Sequence, residues 1–293
     1  MRLIQLTQAN IVANTNNSQF LYRFPTSAKL HHRQKLALSS ITMTYSTYNI
    51  TTANGNNVFS YRWIDGLVYP VNIPNGFYTY DQINSYLQFV FIANGHYLIA
   101  PNGENVYFMV ITPNVTTFTL EVVVFPMSST LYPTTGATPY IVPSGAAPVW
   151  TPPVTAIVPQ FIVPATNIQN IFGYAAGSYP TTQSYTSTQA FQSTSVPQIS
   201  PLTSFTFQCS LANNLYSVPN SLFYSFSPTV LFGSKIILEP KFPIAVPLLE
   251  GTYSSFTVQI CDQNYIPLSI IDPNIVILIG ITGAESGEYD QLV

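Results

Sequence analysis

The fold is indicated most directly by the segment Ser204-Phe205-Thr206-Phe207-Gln208-Cys209, in which large apolar and polar side chains alternate. Alternation with a period of two places the apolar side chains on one face of a β-strand. Further strand-like runs follow at a spacing of roughly ten residues, with proline, glycine and asparagine between them. They are residues 222–226, 235–239, 244–248, 256–261, 266–270 and 275–281. This spacing predicts an antiparallel sandwich or barrel.

The first part of the chain shows the same pattern. Strand-like runs occupy residues 36–45, 57–63, 68–73, 97–100, 106–112 and 117–125. The first of these alternates with one slip, which predicts a β-bulge. One helix is predicted over residues 80–93, because Thr79 and Gln82 fit a capping box and Gly95 suits a left-handed C-terminal position.

Residues 128–200 have a different composition, and eleven prolines occur from Pro133 to Pro201, both included. Proline is excluded from strand interiors, so this stretch is predicted to be irregular, while its aromatic residues argue against a disordered linker. The sequence therefore predicts an all-β protein, a single jelly-roll sandwich with one short helix and an irregular Pro/Thr-rich insertion domain. We expect residues 1–127 to form the first part of the jelly roll, with an N-terminal arm at 1–35. Residues 128–200 would be an inserted outer domain, and residues 201–293 would complete the jelly roll.

The chain carries very few charges: 8 Lys+Arg and 11 Asp+Glu in 293 residues, or 6%. An ordinary globular domain carries about 25%. No charged residue lies between Glu121 and Lys235, a gap of 113 residues. Such a surface suits permanent assembly, because buried interfaces are depleted in charge. The alternative is an adhesin or carbohydrate-binding protein that uses the uncharged, aromatic insertion. The net charge of −3 gives no support to a protein that coats nucleic acid.

Five of the eight cations lie within the first 35 residues. The candidate basic arm comprises Arg23, Lys29, His31, His32, Arg33 and Lys35. It would contact a polyanion, either nucleic acid or anionic lipid, or would pair with acidic groups across an interface. Metal binding by the two histidines is not favoured, because adjacent residues of a strand point to opposite faces.

The sequence offers little for catalysis. It contains no G-x-S-x-G, no Cys-x-x-Cys, no His-Glu-x-x-His and no glycine-rich phosphate loop. Asp262 and Asp272 invite comparison with a glycosidase pair, but both stand at turns, where Asp usually binds its own backbone. Cys209 and Cys261 lie in strand-like runs and are expected to be buried free thiols. We therefore expect no enzyme activity, no cofactor and no metal.

Several segments resemble the minor capsid, or penton, proteins of virophages and polinton-like viruses. They are residues 38–51, 56–63, 73–84, 256–268 and 271–274, a set of strands and turns found in the same order. The match covers about residues 35–125 and 200–281. It contains no catalytic signature, so no functional residue is carried over.

The resemblance implies a single jelly roll that forms homopentamers at the five-fold vertices of an icosahedral capsid. It also implies contact with a double-jelly-roll major capsid protein, and a virion assembled inside the infected host cell. In such a particle the basic arm would face inward, towards the genome or an inner membrane. The insertion would face outward, where it could meet the host surface.

Overall fold

The structure is a computed structural model that describes residues 2–145, 148–242 and 244–283. The chain divides into two compact units. Unit 1 comprises Met1–Tyr48 and Leu202–Val293, and unit 2 comprises Asn49–Pro201. Among the described residues, neither α-helix is long and apolar enough to span a bilayer.

Most elements are strands. In chain order the strands are β1 (Arg2–Leu6), β2 (Gln19–Leu30), β3 (Lys35–Thr44), β4 (Val58–Arg62), β5 (Val68–Asn72), β6 (Leu98–Ile99), β7 (Asn105–Val106), β8 (Met109–Asn114), β9 (Thr119–Val124), β10 (Gln160–Val163), β11 (Gly177–Tyr179), β12 (Gln189–Gln192), β13 (Phe205–Cys209), β14 (Leu222–Phe226), β15 (Lys235–Leu238), β16 (Ala245–Pro247), β17 (Gly251–Cys261) and β18 (Val276–Thr282). The helices are α1 (Tyr80–Asn94) and α2 (Ile168–Phe172), and a short 3₁₀ helix spans Gln8–Asn10.

Unit 1 is a jelly roll. One antiparallel sheet has the order β1-β18-β3-β15, with the short β16 also paired to β3, and the other has the order β14-β13-β17-β2. Without β16, the eight strands of this unit are divided equally between two four-stranded sheets in the jelly-roll order, and the consecutive β13 and β14 form a hairpin within one sheet. The prediction of an all-β single jelly roll is confirmed.

The core of unit 1 lies between these two sheets. Phe205, Phe207 and Cys209 of β13 are buried, as the alternation at residues 204–209 predicts, and they share one cluster with Ile277 and Ile279 of β18. Burial of each large apolar side chain contributes about 1.5–3 kcal/mol. The predicted slip in β3 is present as well. Register shifts between Leu278, opposite Ser40, and Ile279, opposite Leu38, so that Ser39 is the extra residue of a bulge.

Unit 2 has its own sheets and its own core. Its sheets have the orders β11-β10-β4-β5, β12-β9-β8 and β6-β7. Helix α1 confirms the predicted cap, because Gln82 N donates to Thr79 Oγ1 and Thr79 N donates to Gln82 Oε1. The helix ends at Asn94, before Gly95 in the left-handed conformation with φ 68°. Its buried face, Ile83, Leu87 and Phe91, packs in the core of this unit.

The predicted boundary at residues 127/128 differs from this division. Strand β4 pairs with β10, which places Tyr61 opposite Phe161, and β9 pairs with β12, which places Val123 opposite Ala190. Strands from both sides of the predicted boundary therefore share sheets and one core. The Pro-rich stretch also contains β10, β11, β12 and α2, so it is less irregular than its composition predicts.

Residues 1–35 do not form a separate arm in the described structure. Strand β1 pairs with β18 and buries Ile4 and Leu6, and β2 pairs with β17 and buries Phe20 and Leu30. Polar residues between the two strands hide this pattern in the sequence. The segment is therefore part of both sheets of the jelly roll.

Candidate functional site

The candidate basic residues lie along β2 and around the turn that follows it. Lys29 is near the end of β2, the turn carries His31, His32 and Arg33, and Lys35 opens β3. All of them are exposed except His31, which is half-buried. Arg2 reaches the same end of the sandwich, because it pairs with Ile281 while Thr282 pairs with Lys35. We call this end of unit 1, formed by these six residues, the cationic end.

Arg23 is the one predicted residue that the structure does not bring to the cationic end. It lies within β2, opposite Ser255, and is exposed. Ser255 lies four positions along β17 from Gly251, the partner of Leu30, which corresponds to about 13 Å along a strand.

The chain leaves and returns to unit 1 at the other end of the sandwich. Strand β3 runs from Lys35 at the cationic end to Thr44, and the unit ends at Tyr48. The chain returns at Leu202, ahead of β13, whose Thr206 lies opposite Cys261 at the far end of β17. Both connections to residues 49–201 are therefore remote from the cationic end.

Hydrogen bonds of Gln34 fix the turn between β2 and β3. Gln34 is buried, its Oε1 accepts from His31 N at 3.0 Å, and its own N donates to His31 O at 2.9 Å. Leu248 N donates to Gln34 O at 3.1 Å. The turn is thus bonded both to itself and to the connection between β16 and β17.

Two histidines and one carboxylate meet at this turn. His31 Nε2 lies 3.5 Å from Glu250 Oε1, and His32 Nδ1 lies 3.1 Å from Glu250 Oε2. The two imidazole rings are 4.7 Å apart at an angle of 43°. The argument from opposite strand faces does not apply here, because β2 ends at Leu30 and the histidines lie in a turn.

A groove of about 480 Å³ runs between β1 and β2 next to this cluster. Its lining includes the cations Arg2 and Lys29 and the rings of Tyr22 and Phe24. The two positive charges make the groove suitable for an anionic group.

A second surface of unit 1 exposes apolar side chains. They lie around β14 and β15, each of which is the outer strand of its sheet. This apolar flank consists of Leu215, Tyr216, Val218, Leu231, Ile237, Phe242, Ile244 and Leu249. Tyr216 is fully exposed at 100%, and Leu231 and Phe242 are exposed at 83% and 84%. Large apolar surfaces of this kind mark interaction sites.

The two candidate glycosidase carboxylates serve their own turns. Asp262 Oδ1 accepts from the backbone N of Asn264 and Ile266. Asp272 accepts from Thr44 Oγ1 and from Asn274, and these hydrogen bonds hold the pKa of its carboxyl below the usual value. Both therefore have the structural role that the sequence favours.

The two cysteines are buried and free, as predicted. Cys209 lies opposite Val258, and Cys261 lies opposite Thr206, so the two are not cross-strand partners. Burial raises the pKa of the Cys209 thiol to about 12 and that of the Cys261 thiol to about 11. Neither thiol is therefore activated as a nucleophile.

One polar group in the core of unit 2 was not anticipated from the sequence. His96 is fully buried, and it stacks on Trp63 with ring centroids 4.7 Å apart and an angle of 11°. It follows directly after the helix-ending Gly95, and His96 N donates to Phe91 O. A lone histidine after a helix carries no sequence signal of burial, so only the fold reveals it.

No protein-family model and no curated protein sequence matches this chain. Among solved structures, the chain is similar to the crystal structure of the mavirus penton protein, at 9% identity and a TM-score of 0.42, over 96% of this chain and 98% of that chain. It is also similar to a chain of the cryo-EM structure of the Sputnik virophage, at 14% identity and a TM-score of 0.35, over 96% of each chain.

Proposed function

We propose that this chain is a structural virion protein, the penton that forms homopentamers at the five-fold vertices of an icosahedral capsid. The observation that carries this proposal is the apolar flank of the jelly roll. Residues 202–234, which include β13 and β14, contain no charged residue at all. A lone chain would leave this surface in water.

Burial against a neighbouring copy accounts for both the apolar side chains and the missing charges. The centre of a permanent interface is apolar and depleted in charge. Edge strands such as β14 and β15 also expose unpaired backbone groups, which proteins normally cover. Repeated contact between this flank and a different face of the next copy forms a ring that closes by rotation. In this proposal the ring contains five copies and its outer edge contacts a double-jelly-roll major capsid protein.

The placement of the cationic end suggests an orientation in the particle. Its exposed cations, among them Lys29, Arg33 and Lys35, lie at the end of unit 1 that is remote from both connections to unit 2. In our proposal this end faces the genome or an inner membrane, to which phosphate groups attract the cations. We also propose that the insertion, residues 128–200, is available to a host surface. Assembly inside the infected cell follows from this role.

One observation supports a second function, an adhesin or carbohydrate-binding protein. Unit 2 contains an open groove of about 410 Å³, lined by uncharged residues of the segment 134–151 that include Tyr140 and Trp150. Aromatic rings beside hydroxyl groups suit the apolar faces and hydroxyls of sugars. This function is compatible with a vertex role, because it uses the other unit.

The deciding measurement is the solution mass of the purified chain by light scattering. We expect five times the chain mass of 32.4 kDa. A stable trimer would overturn the penton proposal and would favour a fibre or adhesin. If the protein is a monomer, particles reconstituted with the major capsid protein are examined by cryo-EM. Five-fold density at the vertices then supports the proposal, and its absence overturns it.

A further inference from the structure

We infer that His31, His32 and Glu250 bind a divalent transition-metal ion of the Zn²⁺ type. This inference is independent of the proposed function. Within residues 2–145, 148–242 and 244–283, these three residues form the one cluster of His, Cys, Asp or Glu side chains with metal-ligand spacing.

The distances are close to those of a zinc site. The three ligand atoms lie within 4.8 Å of one another. Zn–N and Zn–O bonds are about 2.0–2.2 Å long, so two ligand atoms on one tetrahedral ion are about 3.3 Å apart. His31 Nε2 lies 3.5 Å from Glu250 Oε1 and His32 Nδ1 lies 3.1 Å from Glu250 Oε2, so each imidazole nitrogen is near one of the two carboxylate oxygens. The widest separation has to close by about 1.5 Å.

Side-chain rotation alone can close that separation. The side chains of His32 and Glu250 are 61% and 54% exposed and are free to turn. His31 is the anchored ligand, because its Nδ1 is buried and its Nε2 is the nitrogen near Glu250.

The backbone around the cluster is already fixed. Gly251 pairs with Leu30 at the start of β17, so the preceding residue, Glu250, comes opposite His31. The hydrogen bond from Leu248 N to Gln34 O holds the same two connections together on the other side of the cluster. The metal therefore does not have to organise the chain, and little conformational entropy is lost on binding.

The donor set selects the class of metal. Two imidazole nitrogens and one carboxylate oxygen suit Zn²⁺ and related ions, whereas Ca²⁺ and Mg²⁺ prefer oxygen ligands only. Three protein ligands leave a fourth position for water, on the solvent side where His32 is exposed. The bound ion would link the turn between β2 and β3 to the start of β17.

The test uses the full chain without a histidine tag, after treatment with a chelator. Equilibrium dialysis against ZnCl₂, with bound metal quantified by atomic emission, should give one zinc per chain. His32→Ala and Glu250→Gln should each weaken zinc binding more than about 10-fold, because each removes a ligand. Glu239→Gln is the matched control, since Glu239 is an exposed carboxylate outside the cluster, and it should bind zinc as the unchanged chain does.

A second probe reports on coordination directly. Co²⁺ in the site should give the intense visible absorption of a four-coordinate ion, and the spectrum should be lost in His32→Ala. Both substituted residues are exposed, so circular dichroism of the metal-free variants should match that of the unchanged chain. The inference is overturned if no zinc binds, or if the two variants and the control bind it equally.

Discussion

Tyr61 Oη lies 2.6 Å from His96 Nδ1 in the core of unit 2, and Asn94 Nδ2 donates to the same hydroxyl at 2.8 Å. The Tyr61 hydroxyl therefore bonds both Asn94 and His96, and the imidazole tautomer sets which of Tyr61 Oη and His96 Nδ1 is the donor. The other ring nitrogen, Nε2, is buried and has no hydrogen-bond partner within the described part of the chain. A charge on this ring would be poorly solvated.

This arrangement predicts that the protein loses stability in mild acid. Burial lowers the pKa of His96 from 6.5 to about 4, although the nearby Asp65 carboxylate opposes the shift. In the unfolded chain the same imidazole takes up a proton near pH 6.5. Stability is therefore complete above about pH 6.5 and falls as the pH decreases, by roughly 3 kcal/mol at pH 4.

Urea unfolding between pH 7.5 and 4.5 measures this loss, with the free energy of unfolding compared between variants. His96→Gln should be less stable at neutral pH but should lose much less stability in acid. Equal slopes for His96→Gln and the unchanged chain would assign the pH dependence to groups other than His96.

Sequence patterns predict local features of this fold, but they do not predict contacts between segments that are distant in sequence. Local patterns predicted the buried face of β13, the bulge in β3 and both caps of α1, because each depends on neighbours in sequence. The extent of unit 2 could not be predicted in this way. It depends on the pairing of Tyr61 with Phe161, which lie 100 residues apart. The His31–Glu250 contact was missed for the same reason, because it joins two turns that are distant in sequence.

Strand β1 pairs with β18 and β2 pairs with β17, which predicts that the first 35 residues are required for folding. Their deletion would expose the buried faces of β17 and β18 and remove Ile4, Leu6, Phe20 and Leu30 from the core. We expect the shortened chain to lose the near-ultraviolet circular dichroism and the cooperative unfolding of unit 1. A folded jelly roll without these residues would show that they are an arm after all.

The cations of the same segment are expected to be dispensable for folding. A variant with Lys29, Arg33 and Lys35 all changed to Ser keeps the apolar core intact, because these side chains are exposed. It should unfold like the unchanged chain but bind anionic vesicles or DNA more weakly. Binding should also depend less steeply on salt, because fewer counterions are released. An unchanged salt dependence would place the polyanion contact elsewhere.

Gly173, at the C-terminal end of α2, is packed tightly against Ser193 and Ser195, so a substitution there tests this contact within unit 2. Its φ is +72°, and a Cβ there would lie 2.3 Å from Ser195 O. Gly173 O also accepts from the backbone N of Thr194 and Ser195. Gly173→Ala should therefore cost about 1–2 kcal/mol for the backbone conformation and about 1–3 kcal/mol more for the clash.

The matched control is Gly103→Ala, since Gly103 has φ +87° and nothing within 4 Å of an added Cβ. It should show the backbone cost alone. Thermal unfolding of the two variants separates the two contributions. Equal melting temperatures would mean that the segment around Ser195 yields without cost.

The apolar flank predicts which single changes break the assembly. Tyr216→Glu and Leu231→Glu place a carboxylate on side chains that are 100% and 83% exposed in the isolated chain. Neither change should affect folding, because both side chains lie in solvent there. In the ring, however, each carboxylate would be buried against a neighbour, and the effective cost of an unpaired buried ion is several kcal/mol. That cost is incurred at each of the five contacts, so the closed ring should give way to species near the 32.4 kDa mass of one chain.

Val115→Glu, on an equally exposed apolar residue of unit 2 at 80%, is the matched control and should leave the ring intact. Light scattering at matched concentrations decides between them. Rings that persist in both flank variants would move the subunit contact to another face of the jelly roll, and dissociation by Val115→Glu would place unit 2 in the interface.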